Sequence, residues 1–421
     1  MSTPSIVVIH PYQQHSLKTA VAVKQAGVLQ KYITTVYNKR GSWTNRLQFL
    51  LSKENKLRSE KRKIEGLDDE NVLQICEIRS LFLLVLQRVD RSRQLYNWYF
   101  QRLIKAFNKK VFNYLKKTKP DAIIVYDTMS ADLIQRIRQD GIKIKVIIDM
   151  SAPYYNYMEA VFNEDILKHN GYADDLKRML DSSIYRYRRK YSKYEIDNAD
   201  AFLVASNFTK KTIEIAGVKK PTYLCQYGID DFAAFDDSCF HHKKIEKPIK
   251  ALYVGRVNQA KGAYQLIEIG SQFSENEIVF DFYGAFEPDS EVIKGASSNC
   301  MFHGHVPRSE MINAYRKADI MILPSLADGF GFVIPEALSY DVPVITTKNV
   351  GASQIIIDGM NGYVIDAGDD HQLQEIIQRI IAHPEEIMEM RKNCGNSIKD
   401  LSWSNYNSQV RKAIDDIFKS I

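Results

Sequence analysis

The sequence predicts an α/β protein made of two Rossmann-like domains that face each other across a cleft. Three observations lead there. Short β-branched runs alternate with longer amphipathic segments along the whole chain, the pattern of parallel sheets wrapped by helices. The length of 421 residues, 45% of them hydrophobic, supplies material for two cores. A polar stretch over 231–248, with Asp236-Asp237-Ser238, His241-His242-Lys243-Lys244 and Pro248, breaks the alternation into two halves.

In the first domain, 1–230, strands are expected at 6–9, 33–37, 122–126, 145–149 and 201–205. Between the second and third lies a charged, helical insertion over about 43–118. Within it, 96–117 reads as a helix with Tyr96, Tyr99, Phe100, Leu103, Phe107, Val111 and Tyr114 on one face and Arg102, Lys105, Lys109 and Lys116 on another. After the linker, the second domain, 249–400, carries strands at 250–254, 278–283, 320–323, 342–346 and 362–364. A last helix, 401–421, places Val410, Ala413, Ile414 and Ile417 at helical spacing. In such sheets ligands bind beyond the carboxyl ends of the strands, so the loops that follow them are where chemistry is sought.

Composition narrows the function classes. The longest apolar run, 81–86, is far below the roughly 18 residues that span a bilayer. The chain enters its first strand with no basic segment and long apolar core ahead of it, so no signal peptide is expected. Five scattered cysteines (Cys76, Cys225, Cys239, Cys300, Cys394) show no Cys-x2-Cys spacing, which fits a reduced cytosol and neither a zinc site nor a disulfide framework. The net charge of +6 conceals an asymmetry: residues 1–230 hold 39 Lys and Arg against 24 Asp and Glu, and the rest 18 against 27. A basic first half suits an anionic membrane surface or an acidic acceptor. Nucleic acid would fit the charge, but no nucleic-acid motif accompanies it, so none is expected as a partner. Basic, aromatic segments recur at Lys61-Arg62-Lys63, 96–117 and Tyr185-Arg186-Tyr187-Arg188-Arg189-Lys190-Tyr191. Each alone reads as a solvated face on a packed helix, and together they point to peripheral membrane contact.

The chemistry is written in the second half. Asp328-Gly329-Phe330-Gly331-Phe332-Val333-Ile334-Pro335-Glu336 sets two carboxylates eight residues apart around a glycine-rich turn that runs into an apolar helix. Backbone N–H groups at such a turn suit an anion, and the carboxylates suit hydroxyls. Upstream, Tyr253-Val254-Gly255-Arg256 and Lys261-Gly262 place an Arg and a Lys five apart just after a strand, a plausible clamp for a diphosphate. Hydroxyls beside phosphates describe a nucleotide sugar.

Together these segments resemble the retaining glycosyltransferases of family 4, which have the GT-B fold. The resemblance extends over the second half, through Ala314-Tyr315, Ala318-Asp319-Ile320, Leu323-Pro324-Ser325, Val342-Pro343-Val344-Ile345 and Asn361-Gly362-Tyr363-Val364, and back to Ala199-Asp200-Ala201 and Tyr227-Gly228-Ile229-Asp230. It implies transfer of a sugar from a nucleoside diphosphate to an acceptor hydroxyl with retention. Arg256 and Lys261 would hold the diphosphate, so that no metal or other cofactor is called for. Asp328 would accept from sugar hydroxyls and Glu336 from the ribose. Gly255, Phe330, Gly331, Phe332 and Val333 would complete the donor site. The family carries Glu where this chain has Asp328, which shortens the reach. It also implies that the last helix crosses back to the first domain.

In the first half, His10, Gln14 and His15, in the loop after the first strand, are candidates for contact with acceptor or diphosphate. Asp149, ending the strand 145–149, stands where many family members have a His near the donor sugar. His303-Gly304-His305 lacks a nearby third ligand and is not read as a metal site. The acceptor expected is a glycan or lipid-linked glycan at the cytoplasmic face of a membrane, in surface-polysaccharide assembly. Two other readings stay open: a non-catalytic scaffold that binds glycan or membrane, and a nucleotide-sugar epimerase of the same fold. Donor base, sugar, linkage and oligomeric state are not legible.

Overall fold

The β-branched runs of the first half form one parallel sheet of seven strands. These are β1 (Ile6–Ile9), β2 (Leu29–Thr34), β3 (Val72–Gln74), β4 (Ala122–Tyr126), β5 (Lys145–Met150), β6 (Ala201–Val204) and β7 (Thr222–Leu224), in the order β3-β2-β1-β4-β5-β6-β7. The computed structural model describes residues 3–12, 15–50, 56, 59–60, 62–90, 92–229 and 244–419. Helices cover both faces of the sheet, which is why its central strands are apolar without alternation. Ile6 and Val8 of β1 pack with Val21 and Ala22 of the helix Ser16–Gln25, and Val7 and Ile9 pack on the other side with Phe107 and Val111 of the helix Gln94–Thr118.

The second half repeats the plan with six strands: β8 (Ile249–Val254), β9 (Ile278–Tyr283), β10 (Cys300–Gly304), β11 (Ile320–Leu323), β12 (Val344–Thr347) and β13 (Gly362–Ile365), in the order β10-β9-β8-β11-β12-β13. Each sheet reverses its winding once, between β1 and β4 and between β8 and β11. The loops after β1, β8 and β11 therefore open at the switch points, where such sheets hold ligands.

The chain crosses between domains a second time near its end. The helix Trp403–Lys419 lies against Ser16–Gln25, with Tyr406, Val410, Ala413, Ile414 and Ile417 buried in the first domain's core. The two crossings touch, since Ile229 N–H donates to Leu401 O at 3.1 Å. The expected GT-B arrangement is present, with its returning helix.

Several elements differ from expectation for physical reasons. The second strand was expected at 33–37 and is Leu29–Thr34, because four-residue β1 sets the register, pairing Ile6 with Leu29 and Ile9 with Ile33. Residues 35–37 are buried off the sheet instead, with Thr35 Oγ1 bonded to Pro11 O and Tyr37 Oη to Leu67 O. The 43–118 segment is not helical throughout: Val72–Gln74 adds an edge strand to β2. Edge strands β3 and β7, three residues each, are too short for periodicity to announce them. Of the expected linker, 231–243 lies outside the described residues, as do Gln14, Asp230 and Cys239. His303 Nε2 lies 2.6 Å from Asp281 Oδ1 on the neighbouring strand and its ring stacks on Tyr283. No helix among the described residues is long and apolar enough to cross a membrane.

Candidate functional site

Two loops of the second domain build the head of the site. Beyond β8, buried Tyr253 turns its hydroxyl back to the loop, donating to Arg256 O at 2.8 Å and approaching Lys261 O at 3.4 Å. Asn258 Oδ1 accepts from Lys261 N–H at 3.1 Å and caps the short turn Gln259–Lys261. Gly262 follows at φ +70°, and a Cβ there would lie 2.0 Å from Pro324 O, so only glycine lets the two loops meet. Beyond β11, Asp328 is held by its own N–H to Asn349 O at 2.8 Å and by Gly351 N–H to Asp328 O at 3.0 Å. Lys261 Nζ is hydrogen-bonded to Asp328 Oδ2, while Phe330 N–H donates to Asp328 Oδ1 at 3.3 Å. The lysine and the aspartate thus form one unit.

That unit heads a cavity of about 680 Å³ between the domains. Gly255, Lys261, Asp328, Phe330, Gly331, Phe332 and Val333 line it from the second domain. His15, Lys18, Ser151 and Tyr227 face them, with Trp403 from the returning helix. His15 Nε2 lies 2.9 Å from Asp149 Oδ2 and 3.0 Å from Tyr227 Oη. A carboxylate only accepts, so the proton on Nε2 belongs to this contact.

The other candidates sit differently. Asp149 does not reach the cavity: it is 2% exposed beneath His15 and also accepts from Thr19 Oγ1 at 3.2 Å and Tyr406 Oη at 3.5 Å. The turn at Ser151 is capped instead by Asp127, whose Oδ1 accepts from Ser151 N and Oγ at 2.9 Å each; burial pushes the Asp127 carboxyl up. His10 is fully buried and folds onto its own loop, with Nδ1 accepting from Tyr12 N–H at 2.8 Å, so it does not face the cleft. The Arg256 side chain is exposed, its Nη2 4.0 Å from Glu287 Oε1. Glu336 lies on the helix Val333–Leu338 just past the lining residues Phe332 and Val333 and accepts from Tyr315 Oη at 3.0 Å; burial raises its carboxyl pKa, against the pull of that bond and of Arg308.

Residues 235–400 match the family model of the glycosyl transferases group 1. The group 1 match covers the loops that carry Lys261 and Asp328. Curated relatives agree: an uncharacterized glycosyltransferase of Methanocaldococcus jannaschii is 24% identical over 230 residues, 54% of this chain and 63% of that protein. The capsular polysaccharide biosynthesis glycosyltransferase CapM of Staphylococcus aureus is 26% identical over 186 residues, 40% of this chain and 45% of its own. The chain thus spans about half to two thirds of the length of these relatives. In fold it is similar to Anabaena HepE, solved in complex with UDP-glucose, with a TM-score of 0.59 at 14% identity over 98% of this chain and 100% of that one.

Outside the group 1 match lie the first-domain residues that close the cleft. Gly329 O accepts from Ser206 Oγ at 2.9 Å and Thr209 Oγ1 at 3.3 Å, and Asn207 N–H donates to Gln354 Oε1 at 3.0 Å. At the far rim His169 joins the domains. Its Nδ1 lies 2.9 Å from Asp165 Oδ1 and its Nε2 2.7 Å from Asp370 Oδ2, with the ring stacked on Tyr172. Gln259 Nε2 donates to Asp165 Oδ2, and Gln265 Nε2 bonds to Asp370 Oδ1. Burial works to lower the His169 pKa, but the carboxylates of Asp370 and Asp165 outweigh it, so the ring is held protonated above its ordinary range. A raised folded-state pKa stabilises fully below the ordinary value of 6.5 and loses that contribution as pH rises through the folded value. His169→Ala is therefore expected to lower the melting temperature more in acid than in alkali, with about 1.5–3 kcal/mol at stake per charge-assisted bond. Melting curves of both proteins across that range check it; parallel curves would remove His169 as the titrating group.

Sequence reasoning did not name Lys18, Ser151, Tyr227 or Trp403 as site residues. Tyr227 stacks on Phe332, ring centroids 5.5 Å apart, and Lys18 Nζ sits 4.6 Å over the Trp403 ring. The signal for Lys18 was its place one turn beyond His15; for Trp403, an aromatic opening a helix that returns to the cleft.

Proposed function

We propose that the protein is a retaining glycosyltransferase of the family 4 type, taking a sugar from a nucleoside diphosphate and passing it to an acceptor hydroxyl. The observation that carries this reading is the Lys261–Asp328 pair at the head of the interdomain cavity, on the two loops that follow the central strands β8 and β11. Without donor, the cation and carboxylate satisfy each other. With donor, Lys261 turns to the diphosphate and Asp328 is released to accept from sugar hydroxyls. Charge that grows on the leaving diphosphate is met by Lys261 and by Arg256, which swings in from solvent. The two cations supply the neutralisation, so the reading needs no metal. Glu336 accepts from the ribose, and Gly255, Phe330, Gly331, Phe332 and Val333 pack around the nucleotide and sugar.

The acceptor enters from the first-domain side, past His15, with Asp149 as a positioning residue that holds the imidazole. Retention follows from attack on the face the leaving phosphate vacates, with that phosphate taking the hydroxyl proton. Closure across Gly329 keeps out water, which would hydrolyse the donor. CapM is named for capsular polysaccharide biosynthesis, which supports a glycan or lipid-linked glycan as acceptor, at the cytoplasmic face of a membrane.

Melting the protein with UDP, GDP, ADP and CMP and their sugar conjugates tests the donor site. A matching nucleoside diphosphate at about a hundred times its Kd adds about 2.7 kcal/mol and raises the melting temperature by a few degrees. No response to any of them overturns the donor reading.

A further inference from the structure

The helices Glu77–Val89 and Gln94–Thr118 pair over the loop after β1, where Tyr12 stacks on Phe100. Their inner faces are conventional core: Leu83, Leu86, Phe100, Leu103 and Ile104 are buried. The outer face is not what a solvated helix presents. Ile78, Phe82, Val85 and Val89 are 62%, 50%, 51% and 65% exposed and recur at i, i+4, i+7 and i+11, one continuous stripe. Leu95 and Trp98, 52% and 51% exposed on the next helix, extend it, and Phe82 meets Tyr99 with ring centroids 5.2 Å apart.

Cations frame this stripe. Arg79 and Arg88 lie about a quarter-turn to either side of it on their helix. The Arg102 guanidinium lies 4.2 Å over Trp98, and Arg93 lies 5.3 Å over Tyr96. Residues 77–119 hold eleven Lys and Arg against two carboxylates, Glu77 and Asp90. Both carboxylates are already engaged by neighbouring groups: Glu77 Oε1 takes Thr44 N and Oγ1 at 2.7 Å each, and Asp90 takes Tyr96 N and Ser92 Oγ. The face therefore shows apolar and cationic groups and almost no anionic ones.

We infer that this two-helix face docks on the surface of an anionic lipid bilayer, with Phe82 and Trp98 inserted at the headgroup level and the arginines on lipid phosphates. A second copy of the chain is the poorer occupant, because a symmetric pairing would set the arginines beside the stripe, Arg79, Arg93 and Arg102, against their own like charges. The other basic segments do not compete. In Tyr185–Tyr191, Tyr185 is buried and Arg189 pairs with Glu159 at 2.6 Å; Lys63 pairs with Asp69 at 2.8 Å. The docked face also has a direction. Through Tyr12 it is anchored to the loop that carries His15, so the bilayer lies beside the first-domain wall of the cleft. The inference names the surface behind the membrane acceptor proposed above, but stands on the exposed face and not on the transfer reaction.

The test is flotation of the full chain with vesicles of phosphatidylcholine alone or with about a third phosphatidylglycerol, for wild type and for Phe82→Ser/Trp98→Ser. Phe82 and Trp98 are 50% and 51% exposed, and the thermal response to nucleotide in the same preparations checks that the fold is retained. The expected result is flotation that requires phosphatidylglycerol, weakens in high salt, and falls at least about tenfold in the double variant. Three results overturn it: no flotation of wild type with phosphatidylglycerol, equal flotation of the variant, or a wild-type dimer in solution that the two substitutions dissolve. Nucleotide binding without flotation removes the docking face and leaves the donor site, and flotation without nucleotide binding does the reverse.

Discussion

Lys261→Ala is expected to lower sugar transfer by about a hundred- to a thousandfold, about 2.7–4 kcal/mol, the loss typical of removing one group aimed at developing charge. The lysine's position is fixed by a turn that Asn258 caps and Tyr253 holds from beneath. Its loss leaves Asp328 without its cation, yet the Asp328 side chain is 24% and that of Lys261 32% exposed, so water takes up much of the difference. The stability cost should stay within about 1 kcal/mol. Release of nucleoside diphosphate from the donor measures the first effect and the melting temperature the second. Lys261→Arg restores the charge with a different geometry and separates the two contributions. Transfer at the wild-type rate in Lys261→Ala would remove the lysine from the clamp.

Gly329→Ala acts on closure rather than on chemistry. A Cβ there would lie 2.0 Å from Ser151 O and 3.0 Å from Ala152 Cα, both backbone atoms of the opposite domain. No rotamer relieves such a contact, and the loop behind Gly329 is held by Ser206 and Thr209. The cheapest relief is separation of the domains, which leaves each core intact. Transfer is expected to fall about tenfold or more as the cleft loses its exclusion of water, while the thermal response to nucleoside diphosphate persists. Small-angle scattering should show a larger radius of gyration. Gly359→Ala is the matched control: it too adds one methyl to a second-domain glycine, at φ +73° with nothing within 4 Å, and should cost only local strain of about 1 kcal/mol. An unchanged scattering profile in Gly329→Ala would mean that the contact yields locally and does not govern closure.

The legibility of the site followed sequence distance. Lys261 and Asp328 are readable because each sits in a short motif with a glycine, Gly262 at φ +70° and Gly331 at φ +80°, that local backbone geometry demands. The first-domain wall was harder. The sequence proposes His15 and His10 alike, five residues apart in the same loop; one lines the cavity and the other is buried. Nothing local separates them, because the choice is made by Tyr12 N–H claiming the His10 ring and by Asp149, 134 positions further along, claiming that of His15. Asp149 is legible from its place at a strand end, but its partners Thr19 and Tyr406 come from helices at opposite ends of the chain.

The sequence by itself determined the two α/β domains, the apolar stripe of the last helix, and the two loops that carry Lys261 and Asp328. These rest on periodicity and on backbone conformations only certain residues adopt, and both are local properties. Tertiary structure decided where β2 starts, because a four-residue partner strand sets its register. It decided that Lys261 and Asp328, 67 positions apart, satisfy each other at the head of the cavity. It decided too that Ile78, Phe82, Val85 and Val89 on the outer face of Glu77–Val89 are exposed: an amphipathic pattern shows which residues are apolar, but only packing shows which of them are buried.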